Sequence, residues 1–182
     1  LISAVILASF LSGCFTIPIM SKTKSGGLVA VYYRGEGQML YFVKPLTFRL
    51  EETKQHLEID FTLDQGGIHP EEVVCNFTVY SEKPYKTIES AGLIANGVEI
   101  APDSLKKFFI EKIPKGKLWR SRYSFLIPYV RFGEFIRQEK GTVKTFFTGE
   151  KGKEVYLYDH PLSWKKVQKV VEYQFFAAVD NN

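Results

Sequence analysis

The sequence predicts a mainly β protein: an antiparallel β-sandwich, with a barrel as the alternative closure, carrying one or two short helices. Three observations predict it. Apolar and polar residues alternate with a period of two along several runs, the spacing that turns one face of a strand to a core and the other to water. Turn-forming residues separate these runs at short intervals, as in sandwiches and barrels. The 182 residues are 45% hydrophobic and 15% aromatic, enough apolar material for a single domain with a real core. With 24% charged residues and a formal net charge of +4, the chain is not wholly disordered. Two cysteines exclude a disulfide scaffold, and 14 glycines with 8 prolines exclude collagen or a low-complexity repeat. No internal repeat is visible.

The chain opens with LISAVILASFLSG, residues 1–13, uncharged and apolar or small throughout. As a helix this stretch spans roughly 20 Å, short of a hydrocarbon core of roughly 30 Å. It fits the apolar region of a secretory signal peptide better than a membrane span. It starts at Leu1 with no basic residue ahead of it, so it is expected to be an N-terminally truncated signal peptide.

The run ends in Leu11-Ser12-Gly13-Cys14, which resembles the lipobox of bacterial lipoproteins. Small residues there let a peptidase approach the backbone, and the cysteine thiolate is the nucleophile that accepts the lipid. The resemblance covers the leader alone and assigns no family to residues 15–182. It implies acylation of Cys14 by several chains, palmitate among them, and a cell-envelope location. Each buried methylene contributes about 0.8 kcal/mol, so such an anchor is effectively permanent. Phe15 rather than Asp after the cysteine implies the outer membrane over the inner, with the domain facing the periplasm or the surface. Residues 14–27 then form a lipid-attached tether rich in Ser, Thr and Gly, of the composition that stays flexible. Residues 28–182 form one β-rich domain.

Within that domain, Leu28 to Tyr33 and Met39 to Val43 flank Gly35-Glu36-Gly37 as a hairpin. Leu46, Phe48 and Leu50 alternate with polar residues, and Leu57, Ile59, Phe61 and Leu63 form the cleanest half-buried strand. Val73, Cys75, Phe77 and Val79 form another, and Tyr123, Phe125, Ile127 and Tyr129 a fourth. Residues 143–147 and 154–158 flank Gly149-Glu150-Lys151-Gly152 as a second hairpin. Seven to nine strands result. Asp103 or Ser104 is placed to cap a short helix with Leu105, Phe108, Phe109 and Ile113 on one face. The C-terminal segment fits two periods: Trp164, Val167, Val171, Phe175 and Ala178 form a helical stripe, and Val171, Tyr173, Phe175, Ala177 and Val179 fit a strand equally well. β-Branched and aromatic content tips the reading to a short helical turn near Trp164 followed by a final strand.

Charge is uneven: residues 105–182 hold sixteen basic and eight acidic residues. The densest basic stretch, Lys106 to Arg122, carries seven cations against Glu111 alone. Lys112, Lys115, Lys117, Arg120 and Arg122, with Trp119 and Tyr123 interleaved, are the candidate contact for an anionic partner. In a cytosolic protein this pattern suggests nucleic acid. Behind a signal peptide the polyanions are lipid phosphates, acidic glycans and negative protein faces. The bland alternative is a solvated strand and loop, with Trp119 in the core.

No catalytic constellation emerges. His56, Glu58 and Asp60 share a strand face but alternate with core residues, which fits a face meeting water rather than a metal site. His160 neighbours Asp159 and Ser163, yet a triad is defined in space rather than by adjacency. Glu51-Glu52 and Glu71-Glu72 are adjacent pairs whose members point to opposite strand faces. No nucleophile elbow or phosphate loop occurs. Cys75 reads as a small core residue, and the sequon Asn76-Phe77-Thr78 as chance. Neither cofactor nor metal is expected, nor nucleic acid as partner, and the oligomeric state stays open. The expected function is a non-enzymatic, envelope-anchored binding or adaptor protein contacting an envelope protein or glycan. The alternatives are an envelope hydrolase acting on polysaccharide or lipid, and a structural subunit of an envelope assembly.

Overall fold

The computed structural model describes residues 27–35, 38–50, 53, 55–65, 71–114 and 116–177. The leader, Cys14 and most of the tether lie outside the described residues.

The period-two runs become strands, and the fold is mainly antiparallel β with short helices, as the alternation implied. In chain order the strands are β1 (Val29–Gly35), β2 (Gln38–Arg49), β3 (His56–Gln65), β4 (Glu72–Ser81), β5 (Ile88–Ala95), β6 (Val98–Ile100), β7 (Lys106–Lys112) and β8 (Trp119–Pro128). Helix α1 (Tyr129–Arg137) separates them from β9 (Lys144–Gly149) and β10 (Gly152–Tyr158). A 3₁₀ turn (Pro161–Ser163), helix α2 (Trp164–Val171) and a π-helical turn (Glu172–Phe176) follow.

The ten strands of the described residues belong to one open sheet, ordered β6-β5-β9-β10-β2-β3-β4-β8-β7, with β1 also on β2. β1 and β10 share one edge of β2, at opposite ends: Val29 faces Val43, whereas Tyr158 faces Phe48. Between them β2 is bulged, since Val43 pairs with Phe61 but Leu46 pairs with Ile59. Lys44 and Pro45 oppose the single residue Asp60, so Pro45 sits where its missing N–H breaks no ladder. The bulge bends the strand where its neighbour changes.

The sheet curls until its halves face one another, which makes it sandwich-like although its ladder is continuous. α1 touches β5 near one end of the order and both β4 and β8 near the other. The inner face carries Leu57, Ile59, Phe61 and Leu63 of β3, Val73, Cys75, Phe77 and Val79 of β4, and Tyr123, Phe125 and Ile127 of β8, all buried. Phe132 and Phe135 of α1 fill the hollow against Phe61, at ring distances of 4.8 and 6.0 Å.

The hairpins fall where glycine permits. Gly149 pairs with Gly152, which takes a φ of 92°. Asn96 and Gly97, with φ of 52° and 80°, join β5 to β6 in the two-residue geometry that this dipeptide favours.

Three expectations are corrected. The segment expected to form a helix from Asp103 or Ser104 to Ile113 holds β7 instead. A helix there needs a surface on which to bury Leu105, Phe108 and Phe109; the chain satisfies its backbone on β8 and leaves Phe108 and Phe109 exposed. Tyr129 does not end a strand but begins α1, a helix that the alternation concealed. The expected final strand is helical through Phe176: Trp164, Val167, Val171 and Phe175 are buried while Tyr173 is 79% exposed. A strand would place Tyr173 and Phe175 on one face. The π turn instead turns the neighbours Phe175 and Phe176 both inward. Among the described residues no helix is long and apolar enough to cross a membrane.

Candidate functional site

One end of the sheet gathers four connections into a cleft of about 500 Å³. Thr53 and Gln55 come from the β2–β3 link, Ser81 to Tyr85 from the end of β4 and its link to β5, Leu118 from the foot of β8, and Glu150 with Lys151 from the β9–β10 turn. The rim carries two acids and two lysines: Glu82, Lys83, Glu150 and Lys151.

A polar network underlies one wall. Glu154 stands on β10 two residues before the buried Tyr156, so its carboxylate shares the inward face of that strand. Tyr85 Oη donates to Glu154 Oε1 at 2.9 Å, and Tyr156 Oη donates to Glu154 Oε2 at 2.7 Å. Gln55 Nε2 lies 2.9 Å from Tyr85 Oη and 2.6 Å from Glu154 Oε2, and also meets Tyr156 Oη. Burial, reinforced by the bond to Glu154, pushes the Tyr85 phenol up to about 12 against the opposing pull of Gln55. Burial and the same carboxylate push Tyr156 up as well. Both phenols therefore remain proton donors at neutral pH, and the network is a fixed wall of donors around one carboxylate.

Tyr85 is held from every side. Its N–H donates to Ser121 Oγ at 3.3 Å, and its carbonyl accepts from Tyr123 Oη at 3.0 Å. Its ring meets Phe147 edge-on at 4.8 Å. A Cβ on Gly149 would stand 3.2 Å from that ring, so the small residue lets the turn approach. The β4–β5 link thus ties β8 to β9 and β10 across the two halves of the sheet.

The basic stretch read from the sequence is the β7–β8 hairpin, and its members separate. Lys112 and Lys117 are exposed. Lys115 lies outside the described residues. Trp119 is half-buried and Tyr123 is buried, its hydroxyl spent on the Tyr85 carbonyl. Arg120 pairs with Glu111 and lies over the Phe109 ring. Arg122 bonds Asp60 at 2.7 Å and Thr78 at 2.8 Å. The two arginines are thus neutralised within the fold, and the charge open to a partner is that of the lysines.

The remaining candidates are accounted for by local contacts. His56 stacks on Tyr80 at 4.4 Å, Glu58 accepts from Tyr80, and Asp60 binds Asn76 and Arg122. Among the described residues no group of His, Cys, Asp and Glu is placed to hold a metal ion. Ser163 Oγ donates to the backbone carbonyl of His160 rather than to its ring, and Asp159 pairs with Arg49 at 2.6 Å. Cys75 is fully buried, and burial together with nearby Asp60 raises its thiol well above the ordinary value, the setting of an inert core cysteine.

The sequence reading missed Gln55, Tyr85, Glu154 and Tyr156. One signal was present: Glu154, Tyr156 and Tyr158 share a period-two face, so an acid stands at an inward position. Gln55 and Tyr85 lie in connections, where no periodicity marks a side chain's direction. Compared with protein-family models, with curated proteins and with solved structures, the chain matches none.

Proposed function

We propose that this chain is an envelope lipoprotein, anchored through Cys14 to the outer membrane, whose β domain binds a partner without chemistry of its own. The observation that carries the proposal is the lipobox-like Leu11-Ser12-Gly13-Cys14 at the end of an uncharged apolar run. The partner contact is the β7–β8 hairpin, where exposed Lys106, Lys107, Lys112 and Lys117 stand beside exposed aromatic rings. That combination suits a negatively charged protein face, with electrostatics guiding the encounter and the rings supplying contact area. The cleft adjoins the turn end of this hairpin through Leu118 and offers a second, concave surface with both signs of charge on its rim.

The anchor is tested by expressing the protein in a bacterial host fed alkyne-palmitate. Wild type takes up the label and fractionates with membranes, and Cys14→Ala loses both. Label retained on Cys14→Ala would refute the assignment.

A further inference from the structure

We infer that the free edge of β7 takes an extended, acidic segment of a partner protein as an added strand. The inference rests on the adaptor reading above and names how that adaptor would hold its partner.

β7 ends the strand order and pairs only with β8 among the described residues. In an antiparallel pair alternate residues direct their N–H and C=O groups away from the partner strand, so one side of β7 presents an unpaired ladder. Proteins blunt such edges with lysines and bulges, and β7 has both: Lys106, Lys107 and Lys112, with a register shift between Lys107 and Phe109. Protection explains those features but not the aromatic residues. Phe108 is 50% and Phe109 37% exposed on this same short strand, and each ring already has a cation over it, Lys106 at 5.4 Å and Arg120 at 5.5 Å. An edge built only to repel other strands has no use for two exposed phenylalanines.

Charge decides the occupant. The one acid on β7, Glu111, is engaged by Arg120, and no carboxylate among the described residues pairs with Lys106, Lys107 or Lys112. A second copy of this chain paired antiparallel about Phe109 would set Lys106 opposite Lys112, a like-charge pair that is destabilising across strands, and would face Lys107 only with Glu111, which Arg120 already engages. An alternating acidic strand sets its carboxylates on the face of Lys107 and Lys112, which is that of Tyr123 and Trp119 on β8, while its apolar side chains meet Phe109 on the face of Arg122. Main-chain bonds then supply affinity and the charge pattern supplies selection.

The test is fluorescence anisotropy on the full chain in detergent, with a labelled nonapeptide of alternating glutamate and valine as probe. Three comparisons accompany it: the peptide with lysine for glutamate, the peptide N-methylated at alternate backbone amides, and the Lys107→Glu/Lys112→Glu variant with an unchanged melting curve. The proposal expects the acidic peptide to bind, and N-methylation to weaken it by about tenfold or more, the scale of one or two lost hydrogen bonds. It expects the lysine peptide and the charge-reversed protein to show no measurable binding. Equal affinity for N-methylated and unmodified peptide would overturn it, because charge alone would then suffice; so would no binding of the acidic peptide. This readout needs neither membrane nor lipid, so failure of the Cys14 anchor would appear in fractionation and leave it untouched.

Discussion

Tyr85 shows how much of this molecule turns on one side chain. Its N–H, carbonyl and hydroxyl reach Ser121, Tyr123 and Glu154, which stand on strands from both halves of the sheet. Such a buried hydroxyl is stabilising only while protonated, because ionisation would set a phenolate against Glu154. The folded protein holds this phenol at about 12, against an ordinary value of 10.0. A raised acid binds its proton more tightly in the folded state, so its stabilising contribution is complete below the unfolded value and lost as pH climbs through the folded one. Tyr41, Tyr80, Tyr123 and Tyr156 are raised in the same direction, burial being the first cause in each. The urea midpoint should therefore hold steady up to about pH 10 and fall between about pH 10 and 12. Tyr85→Phe should shallow that fall, and a midpoint indifferent to pH across this window would refute the account of the network. None of this was legible in the sequence beyond the inward parity of Glu154 and Tyr123, since bonding partners in a connection have no period.

At the scale of elements, α1 and α2 depend on each other. The last carbonyls of a helix lack intrahelical partners. Here Gln168 Nε2 donates to the carbonyls of Ile136 and Gln138 at 2.8 Å each, and Trp164 Nε1 donates to that of Gln138 at 3.1 Å. Trp164 is wholly buried, its ring 5.9 Å from Phe135 and 5.1 Å from Tyr158. Trp164→Ala should cost about 3–5 kcal/mol by urea denaturation, from the lost ring and the cavity it leaves. A loss below about 1 kcal/mol would mean that α2 is not part of the core. The C-terminal segment misled the sequence reading because its apolar residues satisfy both periods, and propensity favoured the strand. What decided the outcome was the hollow of the curled sheet, which a helix carrying Val167, Val171 and Phe175 inward fills. β7 failed in the opposite sense: its spacing fits a helix, but β8 offered an edge to pair with and no core lay beneath it. Where one face alternates cleanly, as along β3, the sequence determined strand and orientation together, because a slip of one residue would expose every apolar side chain.

For the whole molecule, composition and alternation were enough to give a mainly β fold with short helices. The continuity of its sheet and its curl around α1 were not, because both come from strand neighbours distant in sequence, such as β10 beside β2. The resulting body carries its basic, aromatic edge on β7 and its cleft at the end where four connections converge. In the proposed function the tether leaves that body free to meet a partner while Cys14 fixes it to the membrane, so location and recognition belong to separate parts of the chain. The measurement that tests this most directly is crosslinked co-purification from native membranes, wild type against Cys14→Ala. The account predicts a defined protein partner recovered with wild type, and a soluble Cys14→Ala protein that recovers none. A Cys14→Ala protein that stays in the membrane and keeps the same partner would contradict it.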